Sequence, residues 1–349
     1  MYAFELSTST GNAEQLAALD SLEMLPETIS CRHEKYDHAW TSLIHVAKKN
    51  PAARELLVEL SCRGYSIFGA PAKGTRLVHE SSLGMYWPEL KDGRYSVAEG
   101  GVVYSLTEPR RGGTPHALLV VFSAVNPVPF TQSLNRHFTQ NWPGLEKSIV
   151  DHAAVLRVSD LGGIVGSFYL PTVFKEENIS LVQNLITKIR QQLGLGREDV
   201  VLYGASKGGT GALLHALHGR YSCVSVDPIV TNDRRETPRK DSYFINTRIF
   251  PKTRDEIFKE AVKSFVDGND EKPSCVFSVI TSTNSAEYLS VAALVGSELG
   301  DFANLFVSDN PRIKSHADVA PKTAALAMGL MNLTLAKVPV GPGETVLIP

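Results

Sequence analysis

Six short runs, ALLVVFSA (117–124), AAVLRVS (153–159), DVVLYG (199–204), CVSVD (223–227), CVFSVIT (275–281) and NLFVSD (304–309), are rich in β-branched and other apolar residues at successive positions. Nothing else in the chain constrains its fold as much. A strand that is apolar along its whole length, and not at alternate residues, has to be covered on both faces. The cover is available in stretches of helical spacing at about 177–193, 207–218, 253–266, 286–299 and 321–335. Strands alternating with helices in this way predict an α/β fold, a mostly parallel sheet of the α/β-hydrolase-like kind with helices on both faces.

Upstream the rhythm differs. Trp40, Leu43, Ile44, Val46 and Ala47, then Leu56, Leu57 and Leu60, are spaced as in amphipathic helices interrupted at Asn50-Pro51. Residues 1–90 are therefore expected to form a helical N-terminal appendage, and 91–340 the catalytic domain. Two β-rich runs around Glu99-Gly100-Gly101 (94–108) predict a hairpin at the start of that domain. The polar, proline-punctuated stretch 228–255 is too long for a routine connection and is expected to be a lid insertion.

The strand ending near Gly204 runs into Gly204-Ala205-Ser206-Lys207-Gly208 and then into a helix. That is the G-x-S-x-G elbow, in which a tight strand-to-helix turn raises a serine above the sheet. Flanking glycines are needed because a Cβ there would strike the neighbouring strand or helix. The backbone N–H of Lys207, at the helix start, is placed to meet an oxyanion. The competing reading is a glycine-rich turn that only packs, or that holds a phosphate on helix N–H groups. Neither G-x-x-x-x-G-K-[ST] nor G-x-G-x-x-G is present at this turn, which disfavours a nucleotide site.

A serine hydroxyl needs a base. In this architecture the order is serine, acid, histidine, with the histidine after the last strand, and among ten histidines His316 lies there. Two acids satisfy the order: Asp227 ends the strand after the elbow helix, and Glu287 follows the next strand, where the acid usually falls. The second oxyanion donor is expected from the backbone at Ser123 and Ala124, after the LLVVF strand. Arg157 and Asp160, at the end of the following strand, are candidates for lining a cleft, an arginine there suiting an anionic substrate. The side chain of Lys207 is open to the same role or to solvent. His215 and His218 lack a third ligand for a metal site and read as packing or surface residues, and acyl-enzyme chemistry on Ser206 requires no metal and no dissociable cofactor.

Composition sets the remaining bounds. With 35 basic against 37 acidic residues there is no global field for nucleic acid. The four cysteines form no C-x-x-C pair and read as reduced thiols, which suits the cytoplasm. The first residues carry neither a basic nor an apolar targeting region, and no apolar run approaches the ~18 residues of a membrane span. Oligomeric state is not legible.

LLVVFSA, RVSDLGGIVGSFYLPT, LYGASKGGTGALLHAL, VSVDPIV and KSHAD together resemble the α/β-hydrolase-like XcbB/CpsF family of capsular polysaccharide biosynthesis proteins, over roughly residues 100–335. The likeness to hydrolase-like proteins of accessory Sec secretion is weaker. The XcbB/CpsF resemblance implies a bacterial cytoplasmic protein in polysaccharide or natural-product assembly, with the nucleophile on Ser206 and the base on His316. The sequence thus points to a serine hydrolase or acyltransferase acting on a small or carrier-linked acyl substrate, a saccharide among the possible acceptors. The alternative is a non-catalytic scaffold of a capsule assembly system.

Overall fold

The computed structural model describes residues 3–33, 42–71, 74–125, 137–232, 246–268, 275–341 and 345–348. Its main sheet has nine strands: β5 (Ser96–Val97), β6 (Val103–Thr107), β7 (Ala117–Phe122), β8 (Ala153–Val158), β9 (Val200–Ala205), β10 (Ser222–Val226), β11 (Phe277–Ser282), β12 (Ala303–Ser308) and β13 (Thr345–Ile348). In space the order is β13-β12-β11-β10-β9-β7-β8-β6-β5. Every neighbouring pair from β8 to β13 is parallel, and β6 and β5 close the other edge antiparallel, as the predicted hairpin. The six apolar runs are all strands, within a few residues of the expected bounds, and the sheet gains β13 beyond the expected limit at 340.

Alternate residues of each central strand face opposite layers. Leu118, Val120 and Phe122 of β7, with Leu202 of β9, pack under α6 (Asn178–Gln192), α7 (Lys207–Gly219) and α8 (Arg254–Asp267). Leu119 and Val121, with Val201 and Tyr203, pack under α10 (His316–Lys322) and α11 (Ala324–Leu335). The helix expected at 286–299 is α9 (Tyr288–Ala293) continued by a wider π-helical stretch (Leu294–Leu299). From β7 the chain moves outward to β8 and then returns to β9 on the other side of β7. That reversal opens a crevice beyond the carboxyl ends of β7 and β9, where ligands bind in open α/β sheets.

The N-terminal expectation needs correction. Helices are present, α1 (Asn12–Asp20), α2 (Leu43–Ala47) and α3 (Pro51–Cys62), but they lie with a second sheet, β1 (Phe4–Ser7), β2 (Thr28–Arg32), β3 (Tyr65–Gly69) and β4 (Gly74–His79), in the order β1-β2-β4-β3. These strands are four to six residues long and mix polar with apolar positions, so the stronger helical period of α3 masked them. The break between α2 and α3 falls at Asn50-Pro51 as expected, and the pair also starts α3, the Asn50 side chain accepting from Ala53 N–H with Pro51 at the first helical position. Two single-turn helices, α4 (Leu83–Tyr86) and α5 (Pro88–Lys91), lead to the main sheet. Apolar side chains of the small sheet, among them Leu6, Ile29 and Leu77, share one core with Leu181 and Leu185 of α6. Ion pairs Lys175–Glu80, Arg248–Glu55 and Arg248–Glu59 join the two parts.

Of the expected lid, 233–245 lie outside the described residues. Its two roots are held firmly. Thr210 Oγ1 donates to Ile229 O and accepts from Ile229 N, both at 2.9 Å, and Asn232 N–H donates to Asp255 at 3.0 Å. Among the described residues no helix is long and apolar enough to cross a membrane.

Candidate active site

The parallel strands end on the same side of the sheet, and the carboxyl ends of β7, β9, β10, β11 and β12 carry the site. After β9 the chain turns at Ser206 with φ 54° and ψ −119°, a conformation that costs a non-glycine residue about 1–3 kcal/mol. The surroundings hold it there: Ser206 N–H donates to Val226 O at 2.9 Å, and Thr210 N–H to Ser206 O at 3.0 Å. The glycines of the motif are forced by contact. A Cβ on Gly204 would overlap the carbonyl of Gly208, and one on Gly208 would overlap the carbonyl of Phe122 at the end of β7.

Ser206 Oγ lies 2.7 Å from His316 Nε2. His316 opens α10 after β12, and Asp318, accepting from Lys314 N–H and Ser315 Oγ, braces the preceding turn. On its other side His316 Nδ1 is 2.7 Å from Asp227 Oδ2. Asp227 follows β10 directly with φ 45°, its N–H donating to Ile280 O of β11 at 2.7 Å. Its carboxylate is buried, and it also accepts from Thr281 Oγ1 at 2.6 Å and Ser285 Oγ at 2.5 Å. Serine, histidine and aspartate thus form one hydrogen-bonded chain from three strand ends.

Glu287 is not part of that chain. Its backbone N–H donates to Ser285 Oγ at 3.2 Å, and the imidazole is met by Asp227 instead. The site where the acid usually falls is taken by the hydroxyls of Thr281 and Ser285, which the reading of acids and histidines passed over. The T-S-T-N-S cluster at the end of β11 (281–285) was the available signal.

On the oxyanion side, Lys207 N–H is the first amide of α7, where helix geometry leaves no intrahelical acceptor. Ser123 and Ala124 follow β7, but Ser123 is corrected as a donor, because its N–H is already given to the Tyr169 hydroxyl at 2.5 Å. Burial and the Asp160 charge hold the Tyr169 phenol well above its usual pKa, so it stays protonated and donates to Val158 O at 2.9 Å. Ser123 Oγ accepts from Thr139 N–H at 2.7 Å, which pins the loop. Ala124 remains the candidate second donor.

Three side chains expected at a cleft are spent internally. Arg157 is buried, giving hydrogen bonds to Asn141 O at 2.6 Å and Trp142 O at 3.2 Å and pairing with Glu146 at 3.0 Å. The Lys207 ammonium is fully buried against Asp160 Oδ2 at 2.9 Å. Asp160 also accepts from the backbone N–H groups of Ser167, Phe168 and Tyr169, each at 3.0 Å, and from Ser167 Oγ at 2.8 Å. Asp160 therefore organises the loop that brings Tyr169 to Ser123, and neither it nor Arg157 is free to meet a substrate. Among the described residues no group of three or more His, Cys, Asp or Glu is arranged to hold a metal ion.

Neither a protein-family model nor a curated protein sequence matches the chain. Among solved structures it is similar to the capsule O-acetyltransferase of Neisseria meningitidis serogroup A, at 17% identity over 68% of this chain and 92% of that one, with a TM-score of 0.49. It is also similar to a chain of the Glycosylation Associate Protein (Gap123) complex from Streptococcus agalactiae, at 16% identity over 75% of this chain and 49% of that one, TM-score 0.49. A further match is FphF, a fluorophosphonate-binding serine hydrolase of Staphylococcus aureus, at 13% identity over 68% of this chain and 96% of that one, TM-score 0.47.

Proposed function

We propose that this chain is a serine-dependent acyl hydrolase or acyltransferase that forms an acyl-enzyme on Ser206. The observation that carries the reading is the continuous chain from Ser206 Oγ to His316 Nε2 and from His316 Nδ1 to Asp227, 2.7 Å at each link. Ser206 Oγ attacks the acyl carbonyl as its proton passes to Nε2, and a C–O bond forms while the carbonyl becomes an oxyanion. Lys207 N–H, with Ala124 N–H opposite, stabilises that charge. Collapse expels the leaving group, which takes the proton from Nε2. An acceptor then gives its proton to Nε2 and attacks the ester, and the serine leaves with the proton returned. Water as acceptor makes this hydrolysis; a sugar hydroxyl or an amine makes it transfer. Asp227 keeps Nδ1 as the donor and stabilises the imidazolium.

The resemblance of the elbow and its flanking strands to capsule biosynthesis proteins supports an acyl substrate in bacterial polysaccharide or natural-product assembly, small or carrier-linked, handled in the cytoplasm. The test is intact mass after incubation with a fluorophosphonate, beside Ser206→Ala and His316→Ala. A single adduct on Ser206, absent in the first variant and slowed in the second, is the expected result. No adduct on folded protein refutes an activated serine and favours the scaffold.

A further inference from the structure

We propose that Ser285, together with Thr281, is a positioning residue that fixes the plane of the Asp227 carboxylate against His316; this rests on the serine-enzyme reading above. The two carboxylate oxygens are held from opposite sides. Thr281 Oγ1 donates to Oδ1 at 2.6 Å, and Ser285 Oγ donates to Oδ2 at 2.5 Å, the oxygen that also faces His316 Nδ1 at 2.7 Å. A carboxylate with one partner turns about its Cβ–Cγ bond; two hydroxyl donors on opposite oxygens leave a single orientation. Ser285 is itself fixed. Its backbone N–H donates to Ser282 O at 2.8 Å, and its Oγ accepts from Glu287 N–H at 3.2 Å, so the hydroxyl proton is directed to Asp227.

The position has a chemical consequence. Oδ2 divides its negative charge between the serine hydroxyl and the imidazole. Ser285 therefore shares Oδ2 with the imidazole, and the carboxylate meets Nδ1 in one fixed direction. Other ionisable groups on the surrounding elements are Glu287 beyond β11, Asp309, Arg312, Lys314 and Asp318 between β12 and α10, and Lys207 on α7. Asp318 is engaged by Lys314 N–H and Ser315, and Lys207 by Asp160. Glu287 touches Ser285 through its backbone N–H, and Ser285→Thr keeps that acceptor, so the comparison of the two variants reports on the hydroxyl.

The experiment is the rate of fluorophosphonate labelling of the full chain at one pH, beside its urea unfolding midpoint, for the parent, Ser285→Ala and Ser285→Thr. In Ser285→Ala the labelling rate is expected to fall about tenfold, with Ser285→Thr, which keeps the hydroxyl, returning it towards the parent rate. A Ser285→Ala rate equal to the parent's, or a loss that Ser285→Thr does not restore, overturns the proposal while leaving Ser206 as nucleophile. A parent that takes no label at Ser206 overturns the serine-enzyme reading instead, and this proposal with it. Should Ser285→Ala fail to fold, Thr281→Val against Thr281→Ser applies the same test to Oδ1, with rate loss expected in the first alone.

Discussion

The ion pair between Lys207 and Asp160 predicts an asymmetry between two single substitutions. Both side chains are fully buried, so each depends on partners rather than water. Lys207→Met leaves a buried carboxylate that still accepts four hydrogen bonds, from three backbone amides and Ser167 Oγ. Asp160→Asn leaves more conflict. With its amide nitrogen at Oδ1 it opposes Ser167 N–H, Ser167 Oγ and Tyr169 N–H; with its nitrogen at Oδ2 it opposes Phe168 N–H and the ammonium. Breaking a buried pair by removing one partner costs about 3–5 kcal/mol, and the retained donors place Lys207→Met near the lower figure and Asp160→Asn near the upper. The assay is urea unfolding with the slope held common. Asp160→Asn should also slow labelling of Ser206, since the Asp160 loop carries the Tyr169 hydroxyl that fixes Ser123. An Asp160→Asn protein as stable as Lys207→Met, or either within 1 kcal/mol of the parent, would refute the reasoning.

Asp227→Asn is expected to slow Ser206 labelling by about 10²- to 10⁴-fold, while Glu287→Gln stays within about threefold; equal losses would return the acid to question, and rates measured at one pH decide it. Gly209→Ala places a methyl 2.8 Å from Val226 O and 3.3 Å from Pro228 Cα, on either side of Asp227, and the strand end must give by a few tenths of an ångström. A loss of about tenfold in labelling is expected, with the Gly209→Ala crystal structure showing whether Asp227 has moved. His215, buried and stacked on Phe122 at 5.3 Å, has its pKa pushed down to about 3, chiefly by burial and then by His218. The unfolded chain binds that proton more readily, so the contribution is complete above about pH 6.5 and is lost as pH falls towards 3, in all about 5 kcal/mol. His215→Asn should flatten unfolding free energy against pH in that window; an unchanged slope would show the imidazole is not held neutral.

The strands were readable because a parallel sheet covered on both faces requires apolar residues at successive positions, as in Ala117–Phe122, where all six are buried. The elbow was readable because its demands are local: a strained serine and small neighbours within five residues. His316 followed from chain order alone. The choice between Asp227 and Glu287 was not available in one dimension, because β10 and β11 lie side by side in register, Val226 against Ile280, and both strand ends precede His316 in the chain. Only the sheet shows which carboxylate the imidazole meets.

The same distinction separates the other residues. Arg157 and Lys207 carry charges that suggest a cleft or solvent, and their sequence neighbours give no hint of the contrary. Their partners, Glu146 on the loop before β8 and Asp160 on the loop after it, are brought to them by the crossing of strands. Thr281, Ser285 and Tyr169 are likewise ordinary residues until packing removes water and leaves each hydroxyl one place to give its proton. By itself the sequence determined what periodicity and local backbone geometry control: the sheet, its covering helices and the strand-to-helix turn at Ser206. Tertiary structure decided that Asp227 meets His316, that Tyr169 holds Ser123 and that a small N-terminal sheet forms, because each depends on pairings between segments far apart in the chain, where a hydrogen bond or ion pair has no local signature.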